Sequence, residues 1–251
     1  MTAVPERTNQ PVGTHIHRLY GLPEIHKNDL QVRLIMYICN SSYHAIAKWL
    51  AEKLKPLRLQ LAPHTYRDMF AFIDDVKDVN LSGLRMLSLD VPSPFTNVPV
   101  PERLDYICEY LVTHQLETGI PTNAPNELLL KCTLNVQFLF AGQLYKQMDG
   151  VAMGSPFEHL LADIFMGKLE KFQLSEQIHK LKHYGRYVDD ILAIAATETG
   201  VDALLNEVNR AHPSNKFTLE VEKAGSLPFL DVLLNRIPNG IVRRGVYRKK
   251  T

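Results

Sequence analysis

Cysteine is scarce in this sequence. There are 3, at Cys39, Cys108 and Cys132, far apart and without close metal-ligand spacing. So small and odd a set excludes a disulfide-built scaffold and points to reduced thiols in an intracellular protein. Long apolar runs are also missing: none approaches the ~20 residues a membrane helix needs, and nothing after Met1 resembles a secretory leader. Net charge is only +1, which excludes a uniform coat for a polyanion. What remains is a chain of 251 residues with 45% hydrophobic content, enough for one large domain or two small ones.

The small net charge conceals a strong asymmetry. Residues 1–62 carry a net +4 and residues 241–251 a net +5, which leaves −8 for residues 63–240. Basic ends around an acidic centre suit flanks that grip phosphate and a middle that holds cations.

The centre of the chain is Tyr187-Val188-Asp189-Asp190, between His183-Tyr184-Gly185-Arg186 and the apolar Ile191-Leu192-Ala193-Ile194. The pattern predicts two short strands meeting at a paired carboxylate. Adjacent like charges repel unless a cation lies beside them. Two divalent metals ~4 Å apart would supply that charge and activate a 3′-hydroxyl for in-line attack on a phosphate. A further carboxylate is needed, and Asp90, ending the apolar stretch Met86-Leu87-Ser88-Leu89, is the best donor. One carboxylate at a strand end, then a hairpin carrying two 99 residues on, is the palm layout of template-directed polymerases.

Tyr187 to Asp190 resemble the YxDD box of reverse transcriptases. The wider wording is similar to the Penelope-like retroelement family, relatives of telomerase. The resemblance rests on Leu19-Tyr20-Gly21-Leu22-Pro23-Glu24-Ile25-His26-Lys27, Leu89-Asp90-Val91 with Phe95-Thr96-Asn97-Val98-Pro99, and Asp149-Gly150-Val151-Ala152-Met153-Gly154-Ser155-Pro156. Leu227-Pro228-Phe229-Leu230-Asp231-Val232 and Val246-Tyr247-Arg248-Lys249 complete it, in the family's order.

The resemblance implies an α+β fold: a right-hand palm with an antiparallel sheet backed by helices, plus a partial fingers region. It implies an RNA-directed DNA polymerase of a retrotransposon, acting on an RNA template, a DNA primer and deoxynucleoside triphosphates, with no membrane partner. Asp90, Asp189 and Asp190 would hold two Mg²⁺ ions, or Mn²⁺. Lys27 and Arg33 would lean over the incoming triphosphate. Phe95 would be the steric gate that refuses a 2′-hydroxyl, and Gly154 and Ser155 would lie at the template base and nascent pair. Lys223 is the candidate to protonate the leaving pyrophosphate. Nuclear residence is expected for such an enzyme.

The sequence departs from the family's wording at Leu34, Pro92, Pro94, Glu158 and His159. An inward-pointing Glu158 would be unfavourable near template phosphate, and His159 reads as helix surface. Neither a thumb-length helical region nor a GIY-YIG nuclease motif is legible. The expectation is fingers and palm only, from a truncated element copy, a partial gene model or one exon, with a non-catalytic nucleic-acid-binding remnant as the alternative. An RNA-templated RNA polymerase is a third reading, disfavoured by Phe95.

Periodicity places the elements. Residues 1–14 read as disordered, 15–85 as fingers and 86–251 as palm. A hairpin is predicted over 15–38, and helices over 43–56, with Trp49 in the core, and over 65–78, with Asp74 and Asp75 solvated. The strand 85–91 follows, then helices over 101–117 and 126–138, and a short hairpin about Ala141-Gly142. Ser155 and Pro156 suit the start of a helix running past Leu169. After the aspartate hairpin come a helix over 201–211, a strand over 216–222, and a hairpin of two strands, Leu227 to Asn235 and Ile241 to Arg248, with Asp231 inside the first.

Overall fold

The computed structural model describes residues 16–23, 32–38, 43–91, 99–116, 119–120, 125–134, 136–147, 150–211 and 216–248. The elements in chain order are β1 (His17–Pro23), β2 (Val32–Tyr37), α1 (His44–Leu54), α2 (Leu57–Leu61), α3 (Met69–Val76) and β3 (Leu84–Asp90). Then come α4 (Val100–Thr113), α5 (Pro125–Leu134), β4 (Gln137–Phe140), β5 (Gln143–Lys146), α6 (Glu158–Phe172), α7 (Ser175–His179), β6 (His183–Tyr187) and β7 (Asp190–Ala196). The chain finishes with α8 (Val201–Arg210), β8 (Thr218–Val221), β9 (Ser226–Phe229), β10 (Val232–Arg236) and β11 (Val242–Val246). This is the expected α+β mixture. No helix among the described residues is long and apolar enough to cross a membrane.

Two compact units divide the chain, each discontinuous in sequence: Met1–Gln60 with Phe95–Phe165, and Leu61–Pro94 with Met166–Thr251. Residues 61–85 group with the second unit.

In the first unit the sheet order is β2-β1-β4-β5. The hairpin β1–β2 pairs Leu19 with Met36 and Leu22 with Arg33. Met36, Ile38, Val136 and Ala152 form a small buried cluster. Residues 137 and 138, expected to end a helix, instead begin β4. The apolar run Gln137-Phe138-Leu139-Phe140 pairs with β5 through Ala141 and Gly142, whose φ of +48° and +78° make the turn that suits sheet twist. Helix α4 starts after Pro99 and buries Leu104, Ile107 and Leu111 at helical spacing. Arg58 pairs with the fully buried Asp163 of α6.

The second unit holds two sheets, β6-β7-β3-β8 and β11-β10-β9. Strands β3 and β7 are central in their sheet, and Ile191 to Ala195 are all buried. A strand covered on both faces reads as an unbroken apolar run. Helix α3 is capped by Asp68, whose carboxylate accepts from the Ala71 N–H at 2.8 Å. It lays Phe72 and Val76 onto Met86, Ile194, Leu227 and Phe229, with the Phe72 and Phe229 rings 4.8 Å apart. Each such side chain contributes about 1.5–3 kcal/mol by leaving water.

The span Leu227 to Asn235, read as one strand, is two. Phe229 pairs with Val232, so Leu230 and Asp231 form a two-residue turn with Leu230 at φ +53°. Asp231 is therefore a turn residue, and its carbonyl accepts from the Tyr247 N–H at 2.8 Å. Asp75 is not simply solvated either: it accepts from the Tyr66 hydroxyl at 2.9 Å, and Tyr66 also lies 2.8 Å from His183 Nε2.

Candidate active site

The register of β3 on β7 builds the site. It runs unbroken from Leu84 opposite Ala196 to Asp90 opposite Asp190. Directly opposed residues hold their Cβ atoms about 4.5–5.5 Å apart, so two carboxylates from distant parts of the chain share one sheet end. The Val91 N–H donates to the Asp189 carbonyl at 3.2 Å, which ties the third aspartate to the same end. Asp90 is exposed, and Asp189 and Asp190 are half-buried. On its other side Asp90 faces Thr218 of β8.

The turn between β6 and β7 is tight. Tyr187 pairs with Asp190, leaving Val188 and Asp189 as its only central residues. Val188 has φ +56°, and Asp189 is not in the positive-φ region. That is a two-residue hairpin turn with positive φ at its first position, where glycine is favoured. A β-branched residue there carries about 1–2 kcal/mol of strain.

Beneath the turn lies a fully buried ion pair, Arg186 with Glu170 of α6. The Arg186 guanidinium donates from Nε to Glu170 Oε1 at 2.7 Å, from Nη1 to the Val188 carbonyl at 3.0 Å, and from Nη2 to Thr65 Oγ1 at 2.7 Å. The Tyr184 hydroxyl donates to the same Glu170 oxygen at 3.0 Å, and burial with the Glu170 charge raises its pKa well above the usual value. The Arg186 backbone is bonded too, its N–H to the His64 carbonyl at 2.8 Å and its carbonyl to the Tyr66 N–H at 2.7 Å. None of Arg186, Glu170 and Thr65 was singled out from sequence. The available signal was a charge in the wrong place: Glu170 lies four residues after Met166 and three after Gly167, on the buried stripe of α6.

Of the other predicted residues, Lys27 and Phe95 lie outside the described ones. Arg33 is exposed on β2. Gly154 has φ +100°, and a Cβ there would meet the Met36 carbonyl oxygen at 2.5 Å, so only glycine lets this loop lie against β2. Ser155 Oγ accepts from the Phe157 N–H at 3.3 Å. Glu158 does not point at a phosphate: its carboxylate accepts from the Gly154 N–H and closes the loop on itself. His159 is exposed on the helix. Lys223 is not brought to the aspartates. Strand β8 is antiparallel to β3, so Thr218 stands at the Asp90 end and Lys223, five residues on, is about 16 Å away along the strand. Lys216, exposed and two residues before Thr218, is the lysine on the Asp90 side.

The donor set fits a hard divalent cation: three carboxylates, without histidine or cysteine. As the side chains stand, no group of three or more His, Cys, Asp or Glu among the described residues is gathered closely enough to hold an ion. Mutual repulsion favours such a spread. Of the cysteines, Cys108 and Cys132 are free thiols, and burial pushes the Cys132 pKa up to about 11, which makes it a poor ligand.

An antiparallel sheet that sets one aspartate beside a hairpin carrying two defines the class of right-hand polymerases. The neighbours among solved structures belong to it. Apo telomerase from Candida tropicalis, truncated from its C-terminal domain, is similar over 94% of this chain and 56% of that one, at 14% identity and a TM-score of 0.65. Telomerase from Candida albicans, in complex with a fragment of telomeric RNA, matches 100% of this chain and 49% of that one, at 12% identity and a TM-score of 0.69. The Sicinivirus 3Dpol RNA-dependent RNA polymerase matches 92% and 53%, at 14% identity and a TM-score of 0.56. At such identities the likeness is one of fold, and this chain spans about half the length of those chains. Among curated proteins no match is found. Within the class the family is defined by sequence: residues 25–227 match the family described as reverse transcriptase (RNA-dependent DNA polymerase), and the chain belongs to it.

Proposed function

We propose that this chain is the polymerase core of a Penelope-like retroelement and carries out RNA-directed DNA synthesis by nucleotidyl transfer to a primer 3′-hydroxyl. The observation that supports it most is the β3–β7 register, which sets Asp90 opposite Asp190 and beside Asp189. Asp90 and Asp189 would hold two Mg²⁺ ions, with Asp190 supporting them. When bound, the ions supply the charge that lowers the pKa of the 3′-hydroxyl and steadies the triphosphate. Arg33 and Lys27 would offset phosphate charge, and Phe95 would select the deoxy sugar. Lys216 takes over the role of proton donor to the leaving group that the sequence suggested for Lys223. RNA template, DNA primer and deoxynucleoside triphosphates are the partners, and the nucleus is the place of work.

The test is primer extension on an RNA template with Mg²⁺ and deoxynucleotides, with ribonucleotides in a parallel arm. Extension with deoxynucleotides that vanishes in Asp189→Asn is the expected result. Extension by neither protein would point to the remnant reading, and ribonucleotide use would point to an RNA polymerase. General acid catalysis is worth roughly 10²–10⁴ in rate. Lys216→Ala should therefore slow extension within that range while Lys223→Ala leaves it near wild type.

A further inference from the structure

We infer that Arg186, clamped by Glu170 and Thr65, is a positioning residue that sets the left-handed backbone of Val188 and thereby aims Asp189 and Asp190. The inference rests on the polymerase reading above and extends it to residues that touch neither nucleotide nor nucleic acid.

Three observations carry it. First, Val188 occupies a conformation that a β-branched residue avoids, at φ +56°, so something must hold it there. Second, the Val188 carbonyl is bonded to a guanidinium that cannot move. Arg186 is fully buried, and its planar fork is spent in three directions, on Glu170, Thr65 and Val188. Third, the peptide plane that follows Val188, which contains its carbonyl, leads directly into Asp189. Fixing the Val188 carbonyl fixes the plane from which the Asp189 backbone starts, and the bond from Val91 N–H to the Asp189 carbonyl fixes the next. The backbone that carries the carboxylate pair is thus oriented from below by a charged bracket.

The bracket also explains why a buried ion pair is present. As a source of stability such a pair is weak, because desolvating two charges offsets much of their attraction. As a source of direction it is strong, because charge-assisted bonds are short and angular. Lysine could keep the charge at 186 but could not span three partners at fixed angles.

The experiment is a Mn²⁺ titration of the chain, followed by the signal of free Mn²⁺, with folding checked by circular dichroism. Wild type should bind Mn²⁺ in a manner that Asp189→Asn abolishes. Arg186→Lys should weaken this binding by roughly 10–100-fold, the effect typical of losing the support of a ligand. Adding Val188→Gly to Arg186→Lys should restore most of the affinity, because glycine adopts positive φ unaided. A staple that merely held the fold together would show no such rescue. Unchanged affinity in Arg186→Lys, or a loss that Val188→Gly does not repair, overturns the inference while leaving the metal site intact. Absence of Asp189-dependent binding in wild type overturns the polymerase reading itself, and this inference with it. Should Arg186→Lys fail to fold, Thr65→Val decides: it removes one bond of the bracket, and a smaller loss of affinity is expected, with no loss counting against the inference.

Discussion

The turn at Val188–Asp189 and the turn at Leu230–Asp231 have the same length, the same closing geometry and the same demand on the backbone. Each joins two antiparallel strands through two residues, and each holds a non-glycine residue at positive φ, +56° and +53°. They differ in what holds them. Val188 is held by its carbonyl, through a hydrogen bond from a buried guanidinium. Leu230 is held by its side chain, packed against the cluster of Phe72, Leu227 and Phe229. Apolar packing fixes where a turn lies and is indifferent to angle. A charge-assisted bond fixes angle as well. The second kind of support is found where the following aspartate is a candidate ligand, and the first where the following aspartate is exposed.

The largest expected break in this comparison is Arg186→Ala. It leaves the Glu170 carboxylate buried without its partner and should destabilise the protein by about 3–5 kcal/mol in chemical denaturation. Replacing both Arg186 and Glu170 with methionine should be far milder than the sum of the single changes, since no charge is stranded. Next come the glycine substitutions, which should have unequal outcomes. Leu230→Gly removes a packed side chain and should cost about 1–3 kcal/mol. Val188→Gly relieves strain while losing only a half-buried side chain, and should stay within about 1 kcal/mol of wild type.

A pH series sharpens the comparison further, because only the first hairpin begins at a half-buried histidine. Burial lowers the His183 pKa below the ordinary 6.5, against the opposing charge of Asp75, with the Tyr66 hydroxyl between them. The folded value lies below the unfolded one, so the unfolded chain takes up the proton first. The contribution of neutral His183 is complete above about 6.5 and is lost as pH falls through the folded value. The drop in Tm between pH 7.5 and pH 5 should therefore be larger in wild type than in His183→Gln; equal drops would discard the idea. The smallest effect is expected from Asp189→Asn, within about 0.5 kcal/mol in stability. It separates the function of the first turn from its folding.

Much of this was legible in the sequence, for physical reasons. Asp90 and the pair Asp189-Asp190 stand out because an apolar strand tolerates a terminal carboxylate only where its end leaves the core. The break between β9 and β10 is also written there. Buried positions run 227, 229 and then 232, 234, and that one-residue slip in a period of two marks a turn. The helix expected to reach residue 138 failed because Gln137 to Phe140 satisfy either periodicity, and pairing with β5 decides between them. The separation of Lys223 from the Asp90 end is not legible, because distance along a strand cannot be judged until the direction of that strand is known. The bracket of Arg186, Glu170 and Thr65 joins residues from a strand, a helix and a loop, and no local pattern connects them.

The register of β3 on β7 also has a meaning in terms of heredity. Side chains alternate with a period of two, so the in-frame loss of one codon between Leu84 and Leu89 would either turn Asp90 to the opposite face or slide it off the sheet end. Codons gained or lost at the exposed Ala141–Gly142 turn, between the two carboxylate motifs, leave that register untouched. Lineages descended from such a gene should therefore vary in length at that turn and hold a fixed count of residues across the two strands.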